Sequence, residues 1–336
     1  METLNVVVIT SINSDASEAS QRLISSCESF DLPVVVVADQ KTPEWKLRDN
    51  ILFMNLKLQN QRFNEISSLL PLNHYSRKNL GYLQAHLMNA QSILDTDDDN
   101  FLTKNPWNYS KSLCISNKSE DWINVYRFFG ENQLWPRGFP LDRVYAKLPE
   151  TEPSNNFPEV TCFQSLVDGD PDIDAIGRLL FRKQVVFEEN PPFVLNQGIC
   201  PTNSQATLWS RWIFPLLYLP STATFRMTDI WRGLILQPAV TLLGGNTLFG
   251  KLGFIQKRNT HDLLKDFESE SIGHIETKTI VRVSSKVWKS GDFTRDALSL
   301  LSGLKEIYSE LVRVGILDEL ELRILNEWTK YFGNHS

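Results

Sequence analysis

The stretch "SILDTDDDNFLT", residues 92–103, runs a short apolar pair, Ile93-Leu94, into Asp95, Asp97, Asp98 and Asp99. Two like charges about 4 Å apart repel by roughly 1 kcal/mol in water and about 4 kcal/mol at an intermediate dielectric. Four carboxylates crowded at a strand end therefore need either full solvation or a cation. Ligands of open α/β sheets collect at the carboxyl ends of the strands. The fold then turns on whether the segments upstream complete such a sheet.

They have the required pattern. "NVVVITSI" (5–12) and "LPVVVVAD" (32–39) are continuous β-branched runs, the signature of strands buried on both faces, and "ILFMNL" (51–56) reads as a third. Between the first two, Ser14-Asp15 offer helix caps before a helical stretch to about Cys27. Strand, helix, strand at this spacing predicts βαβ units and a parallel sheet. Residues 75–91 read as a helix with Leu80, Leu83, Leu87 and Ala90 on one face, feeding the strand that ends at Asp95. The acidic turn, Thr10-Ser11 and Asp39 would then share one edge. Farther on, 148–160 reads as a surface loop or flap, 204–218 and 229–243 as helices, and the chain beyond about 285 as helical. No internal repeat or linker interrupts it. The economical division is one α/β domain over 1–280 and a helical extension over 281–336 packed on it.

Composition narrows the function. The 336 residues suffice for a substantial core. The net charge of −6 argues against a nucleic-acid partner, whose footprint would be basic. No apolar run reaches the ~20 residues of a membrane span, and the N-terminus lacks the pattern of a signal peptide. Cys27, Cys114, Cys162 and Cys200 have neither disulfide density nor metal-ligand spacing, so they read as reduced thiols of a cytoplasmic protein.

Mg²⁺ and Mn²⁺ take oxygen ligands, usually one or two carboxylates plus substrate phosphates. Asp97 and Asp99 form the Asp-x-Asp pair suited to this, with Asp95 and Asp98 in support; a solvated acidic turn is the plainer alternative. "HYSRKNLGY" (74–82) puts Arg77 and Lys78 in a first helical turn, where cations oppose the helix dipole but, with free N–H groups, suit a phosphate. Acids for a metal beside bases for a phosphate together point to a nucleotide diphosphate. "LWPRGFPL" (134–141) presents Arg137 between Trp135 and Phe139, a possible sugar platform or a packed turn. "VDGDPDIDAIGRL" (167–179) alternates Asp170, Asp172 and Asp174 before Arg178. Asp229 stands at a helix start, as a cap or a catalytic acid. Gln256, Arg258, Asn259 and His261 gather in one polar turn.

"LPLNHYSRKNLGYLQAHLMNAQSILDTDDDN", "QSLVDGDPDIDAIGRL", "PTNSQATLW", "TDIWRGLILQ" and "IQKRNTHDLLKDF" resemble the glycosyltransferase-like domain of the STELLO family, Golgi proteins of plant cellulose assembly. More distantly, the motif order resembles the reversibly glycosylated polypeptides, or UDP-arabinopyranose mutases. The resemblance covers roughly residues 5–270. It implies a GT-A-type, Rossmann-like nucleotide-sugar-binding fold, with Asp97 and Asp99 matching the metal motif. Arg137 matches the arginine that is glycosylated in the mutases, and Asp229 falls where many GT-A enzymes carry a catalytic base or an acceptor-binding acid. The third metal ligand stays open between Gln256 and His261. The plant proteins carry an N-terminal membrane anchor that this sequence does not show, so Golgi residence is not expected to transfer.

The expectation is a metal-dependent glycosyltransferase moving a sugar from a nucleotide-diphospho donor, a UDP-sugar first, to a glycan or glycolipid. Mn²⁺ or Mg²⁺ would sit on Asp97, Asp99 and His261. Thr10, Ser11 and Asp39 would line the nucleoside pocket, and Arg77, Lys78, Asp98 and Arg258 would face the diphosphate. Asp172, Asp174 and Arg178 would grip the sugar, and Asp229, Asp174 and Arg137 are the catalytic candidates. A cytoplasmic location, with peripheral membrane contact allowed, goes with this reading. A UDP-sugar mutase working through Arg137 and a non-catalytic scaffold are the alternatives.

Overall fold

The computed structural model describes residues 4–46, 48–181, 183–257 and 262–333. Among the described residues eleven strands form one sheet: β1 Asn5–Ser11, β2 Val34–Ala38, β3 Ile51–Met54, β4 Ser92–Thr96, β5 Asn100–Leu102, β6 Cys114–Asn117, β7 Thr151–Ser154, β8 Cys162–Gly169, β9 Phe193–Leu195, β10 Ala206–Ser210 and β11 Thr247–Gln256. Their order is β3-β2-β1-β4-β10-β8-β11-β9-β6-β7, with β5 added on β11. The first four strands are parallel. β10 enters antiparallel between β4 and β8, and β11 runs parallel to β8. The sheet is mixed, an α/β architecture. The parallel order expected from 5–56 holds for the first half alone.

Helices cover both faces: α1 Glu18–Ser29, α2 Leu56–Leu69, α3 Asn79–Leu87, α4 Ala175–Leu180, α5 Thr228–Leu242, α6 Leu263–Ser290, α7 Ala297–Arg313 and α8 Leu320–Thr329. Alternation along β1 divides the core. Val7 and Ile9 pack with Leu23, Ile24 and Cys27 of α1, and Val6 and Val8 face a larger cluster shared with α3, α5, α7 and α8. Gly81 lets α3 lie close on the sheet, because a Cβ there would run into the Val8 and Val37 side chains.

Several local expectations change. The 204–218 segment is a central strand followed by a 3₁₀ turn at Arg211–Leu216, because a short apolar run does not distinguish a buried strand from a buried helix. Residues 75–78 form a 3₁₀ turn and α3 begins at Asn79, so Leu87 falls at the helix end and is exposed. The proposed flap contains edge strand β7, paired with β6. α6 runs unbroken across residue 280. It packs inward through Trp288, whose Nε1 donates to the Ile235 carbonyl at 3.1 Å, and Trp328 of α8 donates to that of Pro215 at 2.9 Å. All four cysteines are buried and unpaired. Among the described residues no helix is long and apolar enough to cross a membrane.

Candidate nucleotide-sugar site

A cavity of about 350 Å³ opens at the carboxyl edge of the sheet. Thr10, Ser11 and Asp39 reach it from the ends of β1 and β2, and Asp97, Asp98 and Asp99 from the turn after β4. Because β10 is antiparallel, the residue before it, Gln205, comes to the same edge, beside Asp172 after β8 and Gln256 at the end of β11. Asp229, in the first turn of α5, and Arg137 complete the far wall.

The three aspartates of the turn are held separately. Asp97 Oδ1 accepts from the Tyr75 hydroxyl at 2.6 Å and lies 3.6 Å from Lys78 Nζ. Asp98 accepts from the Ser11 hydroxyl and, at 3.0 Å, from Asn13 Nδ2. Asp99 Oδ1 accepts from Gln256 Nε2 at 2.9 Å, and Gln256 in turn accepts from Gln205 Nε2 at 2.6 Å. Burial, reinforced by neighbouring Asp99, pushes the Asp97 carboxyl up to about 7 against the pull of Lys78. Burial raises Asp98 too. These are mutually repelling carboxylates that a divalent cation would relieve. Hydrogen bonds engage one oxygen of Asp97 and one of Asp99, so the pair would suit a divalent ion that takes its remaining ligands from phosphate and water. Among the described residues no three His, Cys, Asp or Glu side chains are grouped to hold a metal unaided. His261 and Arg258, expected at the metal and the phosphate, lie outside the described residues.

Asp95 has a different task from its neighbours. It is fully buried beneath the cavity, 2.7 Å from Lys78 Nζ and 3.0 Å from Arg232 Nη1, and it also accepts from the Ser204 hydroxyl at 2.7 Å. Burial would raise its carboxyl, but the two cations overcome this and hold it below the usual range. Lys78 is thereby committed: its Nζ also donates to the Thr96 carbonyl at 2.6 Å and the Tyr75 hydroxyl at 2.9 Å. Arg77 lines the cavity but spends its N–H groups on Gln59, Ser67 and the Leu70 carbonyl. Neither is the open phosphate contact expected from a first-turn position. Both side chains are buried, which a sequence pattern alone does not reveal.

At the far wall Arg137 Nε and Nη2 clasp Asp172 at 2.8–3.1 Å, and Nη2 reaches both oxygens of Asp229 at 3.3 Å. Asp229 Oδ2 also accepts from the Ser204 N–H at 3.0 Å. These pairings hold the Arg137 guanidinium firmly charged despite its burial. Gly138, at φ +82°, makes the turn that delivers Arg137, and a Cβ there would strike Ile230.

Asp174 and Arg178 do not join them. Asp174 caps α4 by accepting from the Gly177 N–H at 2.7 Å and takes the Trp135 indole N–H at 2.6 Å. Arg178 binds the Pro171 carbonyl at 2.6 Å and lies 3.5 Å from Asp170. Trp135 and Phe139 are buried, so they pack a turn and form no platform. The exposed aromatic of the cavity is Phe225, set edge-on to His74 and Tyr75. Phe225, His74, Tyr75, Lys41 and Arg226 line the site without having been singled out. His74 and Tyr75 belong to the "HYSRKNLGY" motif, beside its two cations.

The carboxyl-edge cavity thus combines a strand-end acidic turn with an arginine–dicarboxylate wall on an α/β sheet. No family model matches this chain. The chain is 30% identical over 240 residues to the "Probable glycosyltransferase STELLO1" of Arabidopsis thaliana and, to the same extent, to STELLO2 of that plant. The match takes in 63% of this chain, but only 30% and 31% of the relatives, so the chain spans under a third of their length. The likeness to the STELLO proteins read from the motifs is thus supported by curated relatives.

Proposed function

We propose that the cavity binds a nucleotide-diphospho sugar, UDP-linked in the first instance, and that the chain transfers its sugar to a glycan or glycolipid hydroxyl. One observation carries the reading: Asp39 and Thr10, the Asp97–Asp99 turn, and the Arg137–Asp172–Asp229 wall face one cavity in that order along the sheet edge. This is the order nucleoside, diphosphate, sugar. Asp97 and Asp99 would hold Mn²⁺ or Mg²⁺, which when bound neutralises charge on the departing nucleoside diphosphate. Asp39 and Thr10 would seat the nucleoside. Arg137, fixed by two carboxylates, would orient the sugar. Asp229 would accept the proton of an acceptor hydroxyl if configuration inverts. The names of the relatives agree with transferase chemistry. The mutase alternative is less favoured by this geometry, because Arg137 is charged, buried and doubly engaged.

The test is UDP-sugar turnover and binding with and without Mn²⁺, for wild type and for Asp97→Ala/Asp99→Ala. Metal-stimulated turnover lost in the double variant is the expected result. Equal rates in both proteins would remove the metal role, and no nucleotide-sugar binding by calorimetry would favour the scaffold. Intact-mass analysis after incubation should leave Arg137 unmodified.

A further inference from the structure

We infer that Tyr75 is the positioning residue that keeps Asp97 open to a divalent cation by holding Lys78 away from it, an inference that rests on the donor-site reading above. Proton inventory fixes the direction of each bond. An ammonium carries three N–H bonds and accepts nothing. Lys78 Nζ lies 2.6 Å from the Thr96 carbonyl, 2.7 Å from Asp95 Oδ1 and 2.9 Å from the Tyr75 hydroxyl. Three oxygens thus meet three N–H bonds, and Asp97 Oδ1 stands beyond them at 3.6 Å. Because Lys78 cannot accept, the Tyr75 hydroxyl receives from it and gives its own proton elsewhere. That proton goes to Asp97 Oδ1, at 2.6 Å.

Two carboxylates two residues apart are thereby divided. Asp95 takes the ammonium directly. Asp97 meets Lys78 only through a neutral hydroxyl, which spends one oxygen and leaves the other for an ion. A direct Lys78–Asp97 pair would have to be broken before a divalent cation could bind, and breaking a buried pair is costly. Carboxylates that ligate metals are commonly oriented by a hydrogen bond of this kind, and losing the partner weakens metal binding by roughly 10–100-fold. The Tyr75 ring is itself anchored, 5.0 Å from Lys78 Nζ and edge-on to Phe225 with centroids 5.8 Å apart. A phenylalanine keeps both ring contacts, so Tyr75→Phe removes the hydroxyl alone. Lys78 then loses an acceptor, and Asp97 Oδ1 is within reach to replace it.

The experiment titrates Mn²⁺ into wild type and Tyr75→Phe in the presence of UDP, by calorimetry or by paramagnetic resonance of the free ion, and melts both proteins without metal. The variant should bind Mn²⁺ at least about tenfold more weakly and melt within about 3 °C of wild type. Equal Mn²⁺ affinity overturns the inference alone, because the metal site would stand without Tyr75. Affinity and melting temperature falling together overturn it as well, since the hydroxyl would then serve the fold and not the ion. Wild-type protein that binds no Mn²⁺ with UDP or with GDP removes the metal reading and this inference with it.

Discussion

Lys78 and Asp95 form an ion pair with no solvent exposure on either side chain, Nζ 2.7 Å from Oδ1, directly beneath the acidic turn. Arg232 joins Asp95 from the opposite side at 3.0 Å, and Ser204 links the pair to Asp229. The floor of the cavity is therefore a charge ladder connecting the acidic turn to the Arg137–Asp229 wall. Removing Asp95 would take the buried carboxylate from Arg232 and leave Lys78 with Asp97 at 3.6 Å. Asp95→Ala should cost about 3–5 kcal/mol of stability in urea denaturation, the range for a broken buried pair. A loss below about 1 kcal/mol would mean that the ladder is solvated after all.

Asp97 makes stability depend on pH in a defined sense. Its carboxyl titrates near 7 in the folded, metal-free protein against an ordinary value of 3.8. Between about pH 4 and 7 the folded state therefore holds a proton that the unfolded chain has lost, so stability falls as pH rises through that window. The raised Asp98 acts in the same direction. Because the Asp97 side chain is 31% exposed, the effect is discounted to on the order of 1–2 kcal/mol. Asp97→Asn should flatten that part of a melting-temperature profile and be the more stable protein at pH 8 without metal. An unchanged profile would place Asp97 in free solvent.

Gly138 should tolerate no side chain. Its φ of +82° and the collision with Ile230 predict that Gly138→Ala loses about 1–3 kcal/mol and displaces Arg137. Turnover should fall while Mn²⁺ binding at Asp97 and Asp99 persists. Loss of both together in a folded variant would show that the two walls are not separable.

The C-terminal helices are expected to fold with the sheet. Trp328 is fully buried and hydrogen-bonded to the Pro215 carbonyl, and Glu321 of the same helix accepts from Tyr218, Ser221 and Thr222. Trp328→Ala should cost about 3–5 kcal/mol in one cooperative transition. A second, separate transition would mark the annex as an independent unit.

Much of the first half could be read directly. β1 and β2 are apolar runs whose burial on both faces follows from composition, β3 is a shorter run at the sheet edge with Leu52 and Phe53 half-buried, and the acidic turn stands out because crowded carboxylates repel. The edge shared by Thr10, Asp39 and Asp97 follows from the βαβ pattern. The second half was harder. "ATLWS" (206–210) is too short to show a period, and only its antiparallel insertion between β4 and β8 makes it a strand and brings Gln205 to the site.

Charge identity is local, but charge partnership is not. Sequence supplied the carboxylates, the arginines and the strands that carry them, because each is a property of one residue or one short run. Which carboxylate faces a cavity and which is locked under it depends on partners 17 to 137 positions away, as the Lys78–Asp95–Arg232 ladder shows. Burial then sorts residues of like type into different work. Asp95 is sealed between two cations beneath the site, and Asp97, two residues on, faces the cavity.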